Sequence, residues 1–326
     1  MRLLATLDKV GLNTFFLLLL LMVGLAWLFP TYGGEESPIP LKQISTYGVS
    51  VIFFFYGLKL DPAKLWAGLS HWKLHLAIQS TTFLVFPVII LLLYWFFHSP
   101  GFDLWWLGVF YLAALPSTVS SSVVMVSMAG GNVAAAIFNA SISSLIGVFI
   151  TPIWMSLFIS SAGQDKADLD GVILHLCIQV LLPVILGLLL HRKLNFIMVR
   201  YGAWLQYFDQ IIILIIVYRA FAESFLGDRF AGFSLGEIII LSILMLLLFL
   251  FVAGLMLITA YKMGFTREDR ITMLFCGSKK SLVQGAVMGQ VLFSNASGMG
   301  IIMLPLMLYH SLQLMAGSII AQRLSR

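Results

Sequence analysis

The sequence predicts an all-α membrane protein, a single integral membrane domain of ten transmembrane helices. Of its 326 residues, 60% are apolar and only 10% are charged, whereas soluble domains average about 25% charged residues. Apolar runs of about 20 residues, the length of a membrane-spanning helix, recur along the chain. Strands of a membrane barrel would be shorter and would alternate in polarity. No polar stretch is long enough to form a soluble domain.

The ten predicted spans are joined by short connections, the longest of which is rich in glycine and proline. The chain has a basic start but no small-residue cleavage site before Pro30, so we interpret its first apolar run as an uncleaved span. The predicted spans are residues 12–30, 44–60, 74–96, 104–129, 133–159, 170–190, 202–225, 236–261, 268–291 and 297–321.

Lysine and arginine residues indicate the orientation of the chain. With the N-terminus inside, the outer loops hold only Lys42, Lys166 and Arg229, while the inner loops hold most of the other basic residues. This asymmetry follows the positive-inside rule. We therefore expect a multi-pass protein of a bacterial inner membrane with both termini in the cytoplasm. The basic residues are explained by topology, so we do not expect nucleic acid as a partner.

Spans four and nine resemble each other, which predicts an internal repeat. Each is the fourth span of a five-span half, each begins near an aspartate (Asp103 or Asp269), and each is interrupted by small polar residues. An odd number of spans forces the two halves to cross the membrane in opposite directions, as in inverted-repeat transporters. The predicted repeats are residues 1–165 and 166–326, with the two interrupted helices crossing near the midplane.

The interruption of span four is predicted at Pro116. Proline removes a backbone donor and clashes with the preceding helical turn, and hydroxyl side chains are good helix N-caps. A new half-helix should therefore begin within residues 117–120. A serine run in a membrane helix can also be a packing surface. The hydroxyl residues that follow the proline are Ser117, Thr118, Ser120, Ser121 and Ser122.

The interruption of span nine carries two adjacent lysines. Lys279 and Lys280 lie about ten residues from either end of the span, and each costs about 2.5–3.5 kcal/mol at the bilayer centre. Gly277 and Ser278 before them and Ser281 after them suggest that the helix is broken there. A broken helix is tolerated in a membrane only where it is buried in protein or lines a water-filled cavity. We therefore interpret this segment as half of a transport site.

The ends of the half-helices should provide both signs of charge. Half-helix N-termini carry partial positive charge and free N–H groups that suit an anion, and Lys280 adds a full positive charge. The opposing C-termini expose carbonyl groups that suit a cation, which Lys279 could supply permanently.

Other polar residues within spans are weaker candidates. His310 and Ser311, with Gln313, lie in the middle of span ten. Asn139 belongs to a polar stripe in span five, which is typical of helix–helix contacts, and Thr82 lies in a similar stripe in span three. The sequence shows no metal-ligand cluster, no phosphate loop and no nucleophile–base–orienter set. We therefore expect neither an enzyme nor a bound cofactor.

The chain resembles the bile acid:sodium symporter superfamily, solute carrier family 10, and in particular the subgroup typified by its orphan seventh member. The resemblance covers the whole chain. The stretches that carry it are Tyr56-Gly-Leu-Lys-Leu, Leu115-Pro-Ser through Gly131-Asn132-Val-Ala, Thr151-Pro152, Cys276-Gly-Ser-Lys-Lys-Ser-Leu and Tyr309-His-Ser. The resemblance implies ten helices in two inverted repeats, with unwound and crossing fourth and ninth helices.

The resemblance also implies sodium-coupled import of a small organic anion. Carried over by position, the substrate-facing residues are Ser120, Lys280, His310 and Ser311. The positions of the sodium ligands hold mostly apolar residues here, namely Val123, Ala136, Ala140 and Phe275, and only Ser122 and Thr82 keep an oxygen. The acidic ligand of span nine is missing, and Lys279 stands where the family has glutamine.

These departures lead to the hypothesis that Lys279 replaces sodium. Transport would be sodium-independent or coupled to protons, because burial favours the neutral form of a lysine. The alternatives are a non-transporting membrane regulator, for example of calcium handling, and a sodium-coupled symporter with altered sites. The expected partners are a small organic anion, the bilayer, and a proton or sodium ion. The predicted substrate-binding residues are Ser117, Thr118, Ser120, Ser121, Lys280, His310 and Ser311; the predicted ion-coupling residues are Lys279, Ser122, Ser278, Thr82 and Asn139.

Overall fold

The computed structural model describes residues 14–34, 37–59, 71–99, 101–161, 177–228, 234–293 and 298–325. In these ranges the regular structure is entirely helical, which confirms the predicted all-α class. The helices are α1 (Thr14–Leu28), α2 (Leu41–Lys59), α3 (Trp72–Phe97), α4 (Asp103–Ala114), α5 (Ser120–Met128), α6 (Val133–Ser161), α7 (Leu182–Leu226), α8 (Leu235–Lys262), α9 (Arg267–Ser278), α10 (Leu282–Leu292) and α11 (Met299–Leu324).

Four helices of the described part are long and apolar enough to cross a membrane: Trp72–Phe97, Val133–Phe158, Leu235–Lys262 and Met299–Leu324. Shorter apolar helices cover Leu17–Leu28 and Asp103–Ala114. The chain is therefore a multi-pass membrane protein. The count of ten spans and the inverted repeat stay predictions, and the predicted repeat boundary at residues 165 and 166 lies outside the described residues.

Spans four and nine are interrupted where the sequence predicts. Helix α4 ends at Ala114 and α5 begins at Ser120, and the backbone of Leu115 between them is extended. Helix α9 ends at Ser278, and α10 begins at Leu282 after the extended residues Lys279 and Ser281. Proline, glycine and serine therefore break these helices as expected.

Predicted spans six and seven are joined without a non-helical break, because the backbone stays helical through the predicted connection. Helix α7 is continuous from Leu182 to Leu226. It would be about 68 Å long if straight, more than twice the hydrocarbon thickness of a bilayer. The stretch between residues 190 and 202 contains good helix formers and only one glycine, Gly202, so nothing in it forces the backbone out of helical geometry.

Contacts with α2 show that α7 nevertheless folds back. The contacts, in the order of α7 and the π-helical turn before it, are Gln179 with Ser50, His191 with Leu58, Asp209 with Lys59, and Arg219 with Ser45. As the chain proceeds along α7, its contact residues move first toward the C-terminal end of α2 and then back toward its N-terminal end. The two parts of α7 therefore run in opposite directions. The helix therefore bends sharply between residues 191 and 209, near the predicted connection.

Helices α1, α2 and α7 pack together as one group. The other helices pack around the two broken ones, and the groups meet where α10 and α11 contact α7. At this boundary the backbone N–H of Gly300, at the start of α11, donates to the Ser224 hydroxyl at 3.0 Å.

Two glycines bring α2 and α7 into backbone contact. A Cβ added to Gly57 would collide with the carbonyl oxygen of Val184, and one added to Gly187 would collide with that of Phe54. Small residues commonly allow such close approach between membrane helices. The glycine in the Tyr56-Gly-Leu-Lys-Leu stretch is therefore required by packing.

Replacing Gly57 with alanine should destabilise the protein by roughly 1–3 kcal/mol, because one helix backbone must shift to admit the methyl group. The matched control is Gly254→Ala in α8, where an added Cβ meets nothing within 4 Å. Thermal unfolding of the purified variants in detergent measures the difference. Equal unfolding temperatures for the two variants would contradict the proposed contact.

Candidate functional site

The two interrupted segments lie against each other in the interior. We call residues 113–122 and 275–281 the crossing. The backbone N–H of Ser281 donates to the Pro116 carbonyl at 3.0 Å. In the other direction, the Ser117 hydroxyl donates to the Cys276 carbonyl at 2.7 Å. The breaks in the two helices are therefore joined by direct hydrogen bonds.

The carbonyl end of α4 is neutralised by Lys280. This lysine has no exposed surface, and its Nζ lies 2.6 Å from the carbonyl oxygen of Ala113, 2.8 Å from that of Leu115 and 2.8 Å from that of Thr82. An ammonium group has three N–H donors, so this geometry uses all of them. A full positive charge at a helix C-terminus is also favoured by the helix dipole.

Pro87 explains why the Thr82 carbonyl is available. Residues Thr81–Val85 form a π-helical turn, in which the N–H of Phe86 donates to Thr81. The next residue is Pro87, which has no N–H, so the carbonyl of Thr82 has no backbone donor. Lys280, in the broken segment between α9 and α10, supplies that donor. The ring of Phe86 lies 4.2 Å from the same Nζ, within cation–π range.

The carbonyl end of α9 is satisfied by hydroxyl groups instead of a cation. Ser122 donates to the Phe275 carbonyl at 3.2 Å, and Tyr309 of α11 donates to the Ser278 carbonyl at 2.6 Å. With the bond from Ser117, three hydroxyls serve this end. The two sides of the crossing are therefore chemically different.

Lys279 is as buried as its neighbour but has weaker partners. It has no exposed surface, and its Nζ donates to the Ser121 carbonyl at 3.0 Å and contacts the Met125 sulfur at 2.6 Å. A thioether sulfur is a weak acceptor. No carboxylate contacts either lysine within the described residues.

Gln313 fixes the backbone of the broken segment. Its side-chain oxygen accepts from the Lys280 N–H at 2.8 Å, and its nitrogen donates to the Lys280 carbonyl at 2.7 Å. The same nitrogen lies 2.9 Å from Nδ1 of His310. The amide thus replaces the helical hydrogen bonds that residue 280 has lost.

The hydroxyl residues after Pro116 divide into two sets. Thr118 lies 2.8 Å from the hydroxyls of both Ser121 and Ser122, in a mostly buried cluster. Ser120 is exposed at the first position of α5, and that helix has no side-chain N-cap. The N-terminus of α5 is therefore exposed at Ser120.

The structure brings together most of the predicted site residues, although some use their side chains locally. The Thr82 hydroxyl bonds within its own helix, so this residue contributes a carbonyl instead. The hydroxyls of Ser278 and Ser311 also bond one turn back, to Leu274 and Met307. The carbonyl end of α4 holds Lys280, where the sequence suggested Lys279.

Asn139 belongs to a separate polar cluster between α3 and α6. Its side-chain nitrogen lies 2.8 Å from Nδ1 of His75, and its side-chain oxygen accepts from Gln79 at 3.2 Å. None of its hydrogen bonds reaches a lysine of the crossing. These contacts are those of a residue between two helices, the alternative that its polar stripe left open, and its role in ion coupling stays a prediction.

Several residues of the site were not predicted. Gln313 was noted only as a weaker candidate beside His310, and Tyr309 only in a family stretch, although each is a polar group in an apolar span. Met125 and Phe86 gave no signal, since apolar residues are normal in such spans. Thr151, which donates to the Ala114 carbonyl at 2.7 Å, was noticed only as part of a family stretch.

A multi-pass helical membrane protein whose two broken helices meet at buried cationic and hydroxyl groups has the construction of a membrane transporter. The comparisons with known proteins agree. A family model described as the SBF-like CPA transporter family matches residues 13–326, and the chain belongs to this family. The expectation of a transporter rather than an enzyme, with a bile acid:sodium symporter resemblance, is thereby confirmed.

Three relatives show how far the similarity extends. "Uncharacterized protein PA2026" of Pseudomonas aeruginosa is 36% identical over 96% of this chain and 93% of its own length. "Putative symporter YfeH" of Escherichia coli is 35% identical over 97% and 93%. "Sodium/bile acid cotransporter 7" of Xenopus tropicalis is 30% identical over 96% and 92%.

Replacing Lys280 with methionine should destabilise the protein by at least about 3 kcal/mol, because three buried carbonyl groups lose their donor and each costs about 1–3 kcal/mol. Lys279→Met is the matched control and should cost less, since it removes one carbonyl bond and a weak sulfur contact. The unfolding temperatures of the two purified variants in detergent measure which substitution is more destabilising. If Lys279→Met were the more damaging change, our assignment of Lys280 as the principal cation would be wrong.

Proposed function

We propose that the protein is a secondary carrier of a small organic anion that works by alternating access without sodium, with Lys280 as a built-in cation. The observation that carries this proposal is the coordination of the Lys280 ammonium by three carbonyl oxygens at the C-terminal end of α4. Carbonyl groups at the ends of broken helices are the groups with which many transporters hold a sodium ion.

The surroundings of the lysines support independence from sodium. Ala136, Ala140 and Phe275, at positions where the resemblance places sodium ligands, are fully buried apolar residues. A sodium ion prefers several hard oxygen ligands, and a second cation near two buried ammonium groups would be repelled. A relative is named a sodium/bile acid cotransporter. For this chain we propose that the substrate is also an organic anion but that the Lys280 ammonium takes the place of a sodium ion.

The N-terminus of α5 is the place where we expect the anion to bind. Free N–H groups and the positive end of a helix dipole favour anions, and Ser120 is the exposed hydroxyl there. Lys279 bonds to the Ser121 carbonyl in the next position. Its ammonium also lies 5.5 Å from the centre of the Phe275 ring, and its charge beside this N-terminus would favour a bound carboxylate.

Lys279 is also our candidate for coupling. Its partners are a carbonyl and a sulfur, so a neutral amine loses less there than at Lys280. Proton uptake and release on Lys279 would then accompany anion binding. We expect His310 to act through its contact with Gln313 and the Lys280 carbonyl rather than through the anion itself.

Alternating access requires one group of helices to move against another. We propose that α1, α2 and α7 move relative to the helices around the crossing, as in transporters built from inverted five-helix repeats. In keeping with the positive-inside rule, we place both termini in the cytoplasm and the protein in a bacterial inner membrane.

Lys280→Ala provides a direct test of the built-in cation. The variant leaves three carbonyls around a cavity, so methylammonium or sodium should raise its unfolding temperature, while tetramethylammonium, which has no N–H group, should not. The wild-type protein should unfold at the same temperature in sodium and in potassium. A rise produced by sodium in the wild type would contradict sodium independence and restore the sodium-coupled alternative.

A panel of small carboxylates tests the anion site. An anion that binds the folded state must raise the unfolding temperature, by about 2.7 kcal/mol of stability at a hundredfold excess over its Kd. We expect Lys279→Met and Ser120→Trp to abolish this rise, and Ser311→Ala, the control, to keep it. Uptake into proteoliposomes should follow the same order. An absence of both stabilisation and uptake across the panel would favour the non-transporting regulator.

A further inference from the structure

An apolar groove lies on the outside of the bundle, away from the crossing. It is formed by the second half of α3, the first half of α4 and the first half of α8, and its volume is about 820 Å³. Its walls include Leu93, Trp106, Val109 and Leu244. Helix α8 packs mainly on α9 and α11, so it stands apart from α3 and α4 along the groove.

The groove is open along its side. Several of its lining side chains are well exposed, among them Phe97 at 68%, Ile240 at 59% and Leu247 at 56%. Because the chain is a membrane protein, this opening faces hydrocarbon rather than water. An apolar, elongated molecule from the bilayer is therefore the natural occupant.

The depth of the groove matches one leaflet. On α8 its lining runs from Glu237 to Phe251, a helical rise of about 21 Å. One leaflet contributes about half of the 30 Å hydrocarbon core, and the interface adds a few ångströms. A single acyl chain lying along α8 would therefore extend from the interface to the bilayer midplane.

A negative charge lies at the end of the groove nearest the membrane interface and would favour a lipid with a positively charged group. Glu237 lies in the lining, and among the residues that the structure describes no lysine or arginine does. One carboxylate oxygen of Glu237 accepts from the Ser234 N–H at 2.8 Å, and the other makes no hydrogen bond within the described part of the chain. Trp105 and Trp106 line the same end, where aromatic residues commonly mark the membrane interface.

We propose that this groove binds phosphatidylethanolamine, with one acyl chain against α3, α4 and α8 and the headgroup ammonium at Glu237. An ammonium group complements the carboxylate, whereas the anionic headgroup of phosphatidylglycerol is repelled by it. The lipid would hold α8 at a fixed distance from α3 and α4. This site is independent of the transport function proposed above.

Native mass spectrometry of the purified full-length protein tests the proposal. The protein is mixed with equal amounts of phosphatidylethanolamine and phosphatidylglycerol that carry identical acyl chains. We expect phosphatidylethanolamine to bind about fivefold better, the effect of roughly one charge interaction near a membrane surface. Glu237→Gln keeps a side chain that can cap the helix and should make the two lipids bind equally.

Two tryptophan substitutions on α8 form a matched pair. Ile240→Trp fills the groove and should reduce phosphatidylethanolamine binding at least about fivefold, the effect of losing one well-packed chain segment. Ile258→Trp is the control, because Ile258 is similarly exposed, at 56%, but lies outside the groove. Unfolding temperatures confirm that each variant is folded, and Ile240→Phe serves if the tryptophan variant is not. Equal binding of both lipids by the wild type, or equal losses in the matched pair, would overturn the proposal.

Discussion

The structure depends on the contact between one ammonium group and three carbonyl oxygens. Breaking two helices inside a membrane leaves several backbone carbonyls without donors, and hydrocarbon provides no water to replace them. Lys280 satisfies carbonyls from two different helices, Thr82 of α3 and two at the end of α4. One side chain therefore fixes the distance between α3, the end of α4 and the broken segment before α10.

The two ends that meet at the crossing are satisfied by different chemistry. At α4 a cation serves the carbonyls of Ala113 and Leu115, and the Thr151 hydroxyl serves that of Ala114 between them. At α9 all three donors are hydroxyls, those of Ser117, Ser122 and Tyr309. A hydroxyl group can rotate and exchange partners at little cost, but a buried ammonium group loses much of its stabilisation when it leaves its carbonyls. The α4 side is consequently the rigid half of the crossing, and rearrangement is easier on the side of α9 and α5.

Sequence reasoning located the crossing but could not assign its two lysines. Pro116, Gly277 and the neighbouring serines break helices by their backbone chemistry, so both interruptions could be predicted. Lys279 and Lys280 are adjacent in an extended segment, where successive side chains point to opposite sides. The sequence does not say which side faces α4, because that depends on the Thr82 carbonyl in another span, which Pro87, five residues further along, leaves without a backbone donor. The sharp bend of α7 lies near the connection predicted between spans six and seven, but the sequence did not show that the backbone stays helical through it.

A cation that is part of the chain changes what can drive transport. A sodium ion binds and leaves in each cycle, and so it couples its gradient to the substrate. The Lys280 ammonium cannot leave, so on the proposed function it can hold the crossing together but supplies no ion gradient. The driving force must then come from the anion itself or from a proton. On the same proposal the proton would be carried by Lys279, which lies one residue away with a carbonyl and a sulfur as its hydrogen-bond partners. On the proposed function, two adjacent lysines would therefore separate two tasks that a bound sodium ion would perform together: holding the broken helices, and linking transport to an ion gradient.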